Sequence, residues 1–299
     1  MKNQIAKSFV MLLALALGIA CTQSASAQQF KLVKVKGGAT LVQIAAGGAS
    51  AWARASNGNP YIFNGKQFVL ANSISLTQLA VGGGNALQPD AVWGLDSSGG
   101  IYQATKSGAS WVFSPVPGNL DFLAVGIGFN RDFCHPYEVW GLNSDAPIFR
   151  YNFCNQNWDN VPGTLATLAV GGGDIWGING NGQLFMFDFA TLLFECPSWA
   201  YPYTFVQVTA GPDGAYVLWP NYAVAQIAPE VGALGGRLTQ IQAGGNGLWG
   251  IDSSQHIFQF DATAVYFYQI PGKLVSISVG SVGVWGLDSS GKAYGFVTP

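Results

Sequence analysis

Leu165-Ala-Thr-Leu-Ala-Val-Gly-Gly-Gly-Asp-Ile-Trp-Gly-Ile-Asn-Gly-Asn-Gly-Gln-Leu-Phe185 is one whole structural unit of this chain. It opens on Leu-x-x-Leu-Ala-Val-Gly, which also stands at Leu76, where Leu76, Gln78 and Ala80 alternate with Thr77, Leu79 and Val81. A period of two is the mark of a strand, here called A, and the glycine run ends it and permits close approach to a neighbour. Strand B follows and carries Trp176. Asn179-Gly180-Asn181-Gly182 then reads as a hairpin turn, because Asx side chains bond their own backbone and Gly accepts positive φ. Strand C begins before Phe185.

Working outward, the same phrase opens at Leu41, Leu76, Leu120, Leu165, Phe205, Leu238 and Leu274, at spacings of 35, 44, 45, 40, 33 and 36 residues. The strand B tryptophans are Trp52, Trp93, Trp140, Trp176, Trp219, Trp249 and Trp285. An outer strand D is marked by an aromatic residue followed by an apolar-Pro-Gly step: Trp111 with Val116-Pro117-Gly118, Trp158 with Val161-Pro162-Gly163, and Tyr268 with Ile270-Pro271-Gly272. Proline fits there because the free side of an outer strand needs no amide donor. A period near 40 with four short strands is one propeller blade. The expected fold is all-β, a seven-bladed β-propeller. The last copy stops after strand C, while Phe30-Lys31-Leu32-Val33-Lys34-Val35-Lys36-Gly37 resembles a D strand with nothing before it. The N-terminal strand is therefore expected to pair with the last blade and close the ring, which removes an unpaired edge.

Composition agrees. Only 9% of the 299 residues are charged, against 40 Gly, 19 Phe, 11 Tyr and 10 Trp, a balance that favours strands over helices. Residues 1–27 carry Lys2, Lys7, the apolar run Phe9 to Ala20 and the triplet Ala25-Ser26-Ala27, the layout of a cleavable secretory signal. An apolar run of 12 residues falls short of the roughly 20 that span a bilayer, so no transmembrane segment is expected. Cleavage near Ala27 leaves one domain, residues 28–299, secreted or periplasmic. Lipid attachment at Cys21 is the second reading of the same segment. The formal net charge is −2 and the basic residues are scattered, which argues against nucleic acid as a partner.

Catalytic chemistry is poorly supplied. His135 and His256 are the two histidines and lie in different repeats, without Cys or Asp spacing that suggests a metal site. No catalytic residue, metal or organic cofactor is expected. The recurring Asp96, Asn143, Asn179, Asp252 and Asp288 read as hairpin-turn residues and the recurring tryptophans as packing core. Aromatics that interrupt the repeat are better binding candidates: Phe129, Phe133, His135, Tyr137, Trp199, Tyr201 and Tyr203. They fall where the A-to-B or C-to-D connections lengthen. In an up-and-down blade those connections share one face, so one aromatic rim is expected. Cys134, Cys154 and Cys196 are assigned to the same face; Cys134 with Cys154 is the preferred disulfide, with Cys196 either unpaired or competing for Cys154.

These residues resemble the tectonin family, whose signature is a Leu-Ala-Val-Gly strand followed by Val-Trp-Gly-Leu-Asp and an Ile-Tyr strand. The resemblance runs from Phe30 to Phe296, and five copies keep Trp-Gly, then Leu or Ile, then Asp or Asn. Copies one and five depart from it, with Ala53 after Trp52 and Pro220 after Trp219. Family members commonly have six blades or fewer, against the seven copies counted here. The resemblance implies a β-propeller and a lectin that recognises surface glycans, methylated sugars among them. Protein-interaction modules occur in the same family, so a protein-binding or cell-envelope scaffold is the alternative and a secreted hydrolase a more distant one.

Overall fold

The computed structural model describes residues 29–84, 88–128, 136–144 and 147–297. The segment 1–27 read as an export signal, with Cys21, lies outside the described residues. Among those residues the chain is entirely β, in seven four-stranded antiparallel sheets arranged as the blades of a propeller.

Strands A to D of blade one are Leu41–Ala46, Ala51–Ala55, Pro60–Phe63 and Phe68–Leu70. Blade two has Gln78–Gly82, Ala91–Leu95, Gly100–Ser107 and Ser110–Asn119; blade three Phe122–Ile127, Tyr137–Leu142, Pro147–Asn152 and Asn157–Thr164. Blade four is Thr167–Gly171, Asp174–Ile178, Leu184–Asp188 and Leu193–Glu195; blade five Gln207–Gly211, Gly214–Leu218, Val224–Ala228 and Gly232–Gly235. Blade six has Gln240–Gly244, Gly247–Ile251, His256–Asp261 and Tyr266–Lys273. Blade seven supplies Ser276–Gly280, Gly283–Leu287 and Ala293–Val297, and its outer strand is Gln29–Val33. In that closing strand Phe30 faces Phe296 and Leu32 faces Tyr294 across the ladder, the pairing expected from the two chain ends. Just beyond it, Lys34 O accepts from Phe68 N and Lys36 N donates to Phe68 O, so the N-terminal segment also joins blade seven to blade one.

Strand A runs along the axis because its last glycine lets blades touch backbone to backbone. A Cβ on Gly82 would stand 2.4 Å from Val125 O, one on Gly126 2.3 Å from Val170 O, and one on Gly244 2.0 Å from Val279 O. Glutamines add a second link between strands A. Gln43 Nε2 donates to Leu79 O at 2.8 Å while its Oε1 accepts from Leu79 N at 3.0 Å, and Gln78 repeats the pair with Leu123, as Gln207 does with Ile241. The seven A strands enclose an axial cavity of about 590 Å³.

Each strand B tryptophan faces the next blade. Trp52 meets Trp111 and Phe113, Trp93 meets Tyr151 and Trp158, Trp140 meets Phe187 and Phe194, Trp249 meets Phe30 and Phe296, and Trp285 meets Phe63 and Phe68. Most of these contacts are edge-on, as ring quadrupoles prefer. All but Trp219 of the seven are buried. Blade five corrects the expectation for that residue: Tyr216, not Trp219, pairs across from strand A at the tryptophan position, and Trp219 lies past the strand, in the B-to-C turn. The repeat phrase is anchored on Trp, whereas ladder register is counted from the strand A glycine.

Candidate functional site

Four of the five Asx turns are closed by their own side chains; in blade three Asn143 Oδ1 has no partner among the described residues and Ser144 N donates to Asp121 Oδ2 instead. Asp96 Oδ1 accepts from Ser98 N at 2.8 Å and Gly100 N at 2.9 Å, and Asp288 Oδ1 accepts from Ser290 N and Lys292 N. Asn179 Oδ1 does the same with Asn181 N and Gln183 N. Tyr102 and Tyr294 donate to the second oxygens of Asp96 and Asp288. In blade six His256 Nδ1 takes that role, 3.0 Å from Asp252 Oδ2. Partial burial pushes the Asp252 carboxyl upward, but hydrogen bonds from the His256 ring and from the His256 and Ser254 amides outweigh it and hold the acid below its ordinary range. These carboxylates are occupied by turn chemistry, and no group of three or more His, Cys, Asp or Glu among the described residues is arranged to hold a metal.

The interruptions of the repeat divide among three environments. Phe129, Phe133, Cys134 and His135 lie outside the described residues. Tyr137 starts strand B of blade three and is only 8% exposed. Its hydroxyl donates to Pro89 O, and its ring lies where a Cβ on Gly83 would be, 2.3 Å away. Tyr137 is thus a brace between blades two and three, and the expectation that it stands on an exposed rim is corrected. Burial pushes its phenol upward, with the Asp90 charge adding to the effect.

Trp199, Tyr201 and Tyr203 are placed on the other face from the one expected. Strand D of blade four is Leu193–Glu195, so these residues follow it, in the D-to-A connection to blade five. That connection emerges with the B-to-C turns, and Phe205 N donates to Gly182 O in the B-to-C turn of blade four. One additional strand reverses the direction of the chain. Cys196, immediately after strand D, moves with them; it is a free, exposed thiol.

What gathers on this face is an aromatic cluster. Tyr203 packs edge-on to Trp219 at 5.0 Å, and Phe205, buried beneath, meets the same indole at 4.8 Å. Trp199 and Trp219 are half-buried against the core between blades four and five. Tyr222 lies in the same turn as Trp219, its amide bonded to Trp219 O, with a left-handed φ of 69°. Tyr201 is 69% exposed, Tyr203 51% and Tyr222 51%. Sequence reading took Trp219 for packing core and passed over Tyr222; the available signal was the loss of Gly and Asx in repeat five, where Trp219 and Tyr222 stand at the turn positions those residues fill elsewhere. Tyr203 is thus an exposed ring held against the half-buried Trp219, which rests on buried Phe205, and Tyr201 and Tyr222 are exposed aromatics close to it in the chain.

Comparison with known proteins places this geometry. Solved structures with the same architecture include YCF48 bound to D1 peptide, with a TM-score of 0.64 at 13% identity, covering 90% of this chain and 97% of that one. Prp20p from Saccharomyces cerevisiae, studied with its binding to Gsp1p and histones, gives 0.63 at 10% identity over 87% of this chain and 83% of its own. Human WBSCR16 gives 0.60 at 10%, covering 87% and 88%. At such identities these similarities show the propeller fold alone. No curated protein matches the chain. The family profile described as Tectonin domain matches residues 22–195 and 138–298. With the repeats, the blades and that profile in agreement, the chain belongs to the tectonin domain family.

Proposed function

We propose that the protein is an exported, non-catalytic glycan-recognition propeller whose sugar ligand is seated on Tyr201, Tyr203 and Tyr222. The observation that carries this reading is the exposure of those three rings beside the Tyr203–Trp219 stack on a rigid scaffold. An aromatic face matches the C–H face of a pyranose, and phenol hydroxyls bond its hydroxyl edge. Membership of the tectonin family supports the ligand class, and the signal-like segment 1–27 supports export. Phe129, Phe133 and His135 stay proposed as further binding residues on the strength of the sequence alone. The disulfide of this protein joins Cys134 to Cys154. Support for it comes from Cys196 being a free, exposed thiol on the other face.

A protein-binding scaffold is the second reading, favoured by Val206, which is 56% exposed beside the same aromatics. Profiling the protein on an array of bacterial and fungal glycans, O-methylated sugars included, decides between them. The proposal predicts retention of a defined subset of glycans, released by excess free sugar and lost in Tyr201→Ala/Tyr203→Ala. Silence across the array, with a protein partner captured in the presence of free sugar, would overturn it.

A further inference from the structure

The axial cavity is chemically lopsided. At the strand A position directly across from the strand B aromatic, blades one to four carry Ala45, Ala80, Ala124 and Ala169. Blades five to seven carry Thr209, Gln242 and Ser278 there. Thr209 and Ser278 use their oxygens to accept the amides of Ala243 at 3.0 Å and Ala46 at 2.8 Å in the following blade. Their hydroxyl protons remain to donate. Gln242, half-buried on the cavity wall, has no hydrogen-bond partner among the described residues, so its amide offers both a donor and an acceptor to the cavity.

One step along the same strands, Gln240 and Ser276 also stand on the wall, and here the glutamine link between blades is broken. Gln43, Gln78 and Gln207 each bond both the N–H and the C=O of the next blade. Gln240 Oε1 and Ser276 Oγ instead have no partner and almost no exposure. A buried polar oxygen left unpaired costs about 1–3 kcal/mol, so a turn of the Gln240 amide that brings it beside Gln242 on the cavity wall is favoured once a hydroxyl is there to meet it. No Lys, Arg, His, Asp or Glu is among the described residues lining the cavity, so nothing offsets the desolvation of a charged guest. At about 590 Å³ it is within the size range of small-molecule sites.

We propose that the blade-six wall of the axial cavity, built on the Gln242 amide with Gln240 next to it on the strand, binds an uncharged, hydroxyl-rich small molecule the size of a monosaccharide. Amide groups on that wall bond its hydroxyls, and the Ala80, Ala124 and Ala169 side receives its C–H surface. This site is separate from the exposed tyrosines and independent of the glycan reading made for them.

Isothermal titration with D-glucose, D-galactose, D-mannose and myo-inositol, against D-glucuronate and glycerol phosphate as charged controls, tests it. The proposal predicts saturable binding of at least one uncharged probe and about tenfold weaker binding of the charged ones. Gln242→Leu, which keeps bulk and removes the amide, weakens that binding about tenfold, whereas Lys66→Ala, in an exposed turn of blade one, leaves it unchanged. If Gln242→Leu does not fold, Gln242→Ala provides the same comparison. Absence of saturable binding by any uncharged probe, equal affinity for charged ones, or unchanged affinity in the cavity variants would overturn the proposal. Loss of binding in Tyr201→Ala alone would place the sugar on the exposed tyrosines instead, supporting that reading while removing this one.

Discussion

Asp90 shows how much a single side chain can carry here. It stands in the lengthened A-to-B connection of blade two and is only 8% exposed. Oδ1 accepts from Gly48 N at 2.7 Å and Gly84 N at 2.8 Å, Oδ2 accepts from Ser50 Oγ at 2.5 Å, and Ala49 N approaches both oxygens. Ser50 Oγ in turn accepts from Trp52 Nε1 at 2.9 Å, tying the connection to the buried tryptophan of blade one. Asp90→Ala strands several of these donors, and we expect a loss of about 3 kcal/mol in urea unfolding. The turn carboxylates behave differently because they are near solvent. Asp96 is held below its ordinary range mainly by the Ser98 hydroxyl; at Asp252 and Asp288 partial burial raises the value and is outweighed by turn hydrogen bonds. A depressed folded-state pKa adds stability that is complete above about pH 4 and is lost as pH falls through the lower folded values. Asn179 already fills the same role without charge, so Asp96→Asn/Asp252→Asn/Asp288→Asn should keep the fold and flatten the acid limb. Unfolding midpoints followed from about pH 5 to 2 would show that limb as steep in the wild type and shallow in the variant; equal slopes would refute this assignment.

Strands and blades were legible where a residue type has one physical use. Alternation marked strand A, Asx-Gly marked the B-to-C turn, and Pro-Gly marked the outer strands Ser110–Asn119, Asn157–Thr164 and Tyr266–Lys273. Legibility failed where one of those signals was missing. Leu193–Glu195 has no Pro-Gly step, so the strand was not seen, and Trp199, Tyr201 and Tyr203 were assigned to the wrong face. Trp219 was taken for the strand B tryptophan because no glycine after it marked the register. The A-strand glycines make a sharper test of how blades meet. A Cβ at Gly244 would come within 2.0 Å of a backbone carbonyl that cannot turn aside, whereas Gly180 has nothing within 4 Å. Gly244→Ala should therefore cost more than about 3 kcal/mol or abolish soluble expression, and Gly180→Ala should cost under about 1 kcal/mol. Thermal unfolding of the pair would measure the contrast.

For the whole molecule, closure depends on a strand contributed from the opposite end of the chain. Gln29–Val33 completes blade seven, and Phe30 adds its ring to Trp249 of blade six and to Phe296. Deleting residues 29–33 leaves blade seven three-stranded with an open edge; we expect a lowered unfolding temperature and self-association visible by light scattering. Closure was legible from the unmatched ends of the repeat, but the polarity of the axial cavity was not. It arises from one position per blade, and Thr209, Gln242 and Ser278 align only after the ladders are in register. The face proposed for recognition likewise follows from the number of strands crossed rather than from any local motif. The functional account rests on the exposed tyrosines of that face. Its most direct test is the affinity of a single array-selected glycan for wild-type protein and for Tyr201→Ala, Tyr203→Ala and Tyr222→Ala, each with its unfolding midpoint measured alongside. The account predicts that binding weakens by about tenfold or more in these variants while the midpoints stay within about 0.5 kcal/mol of wild type. Unchanged affinity in all three would contradict it.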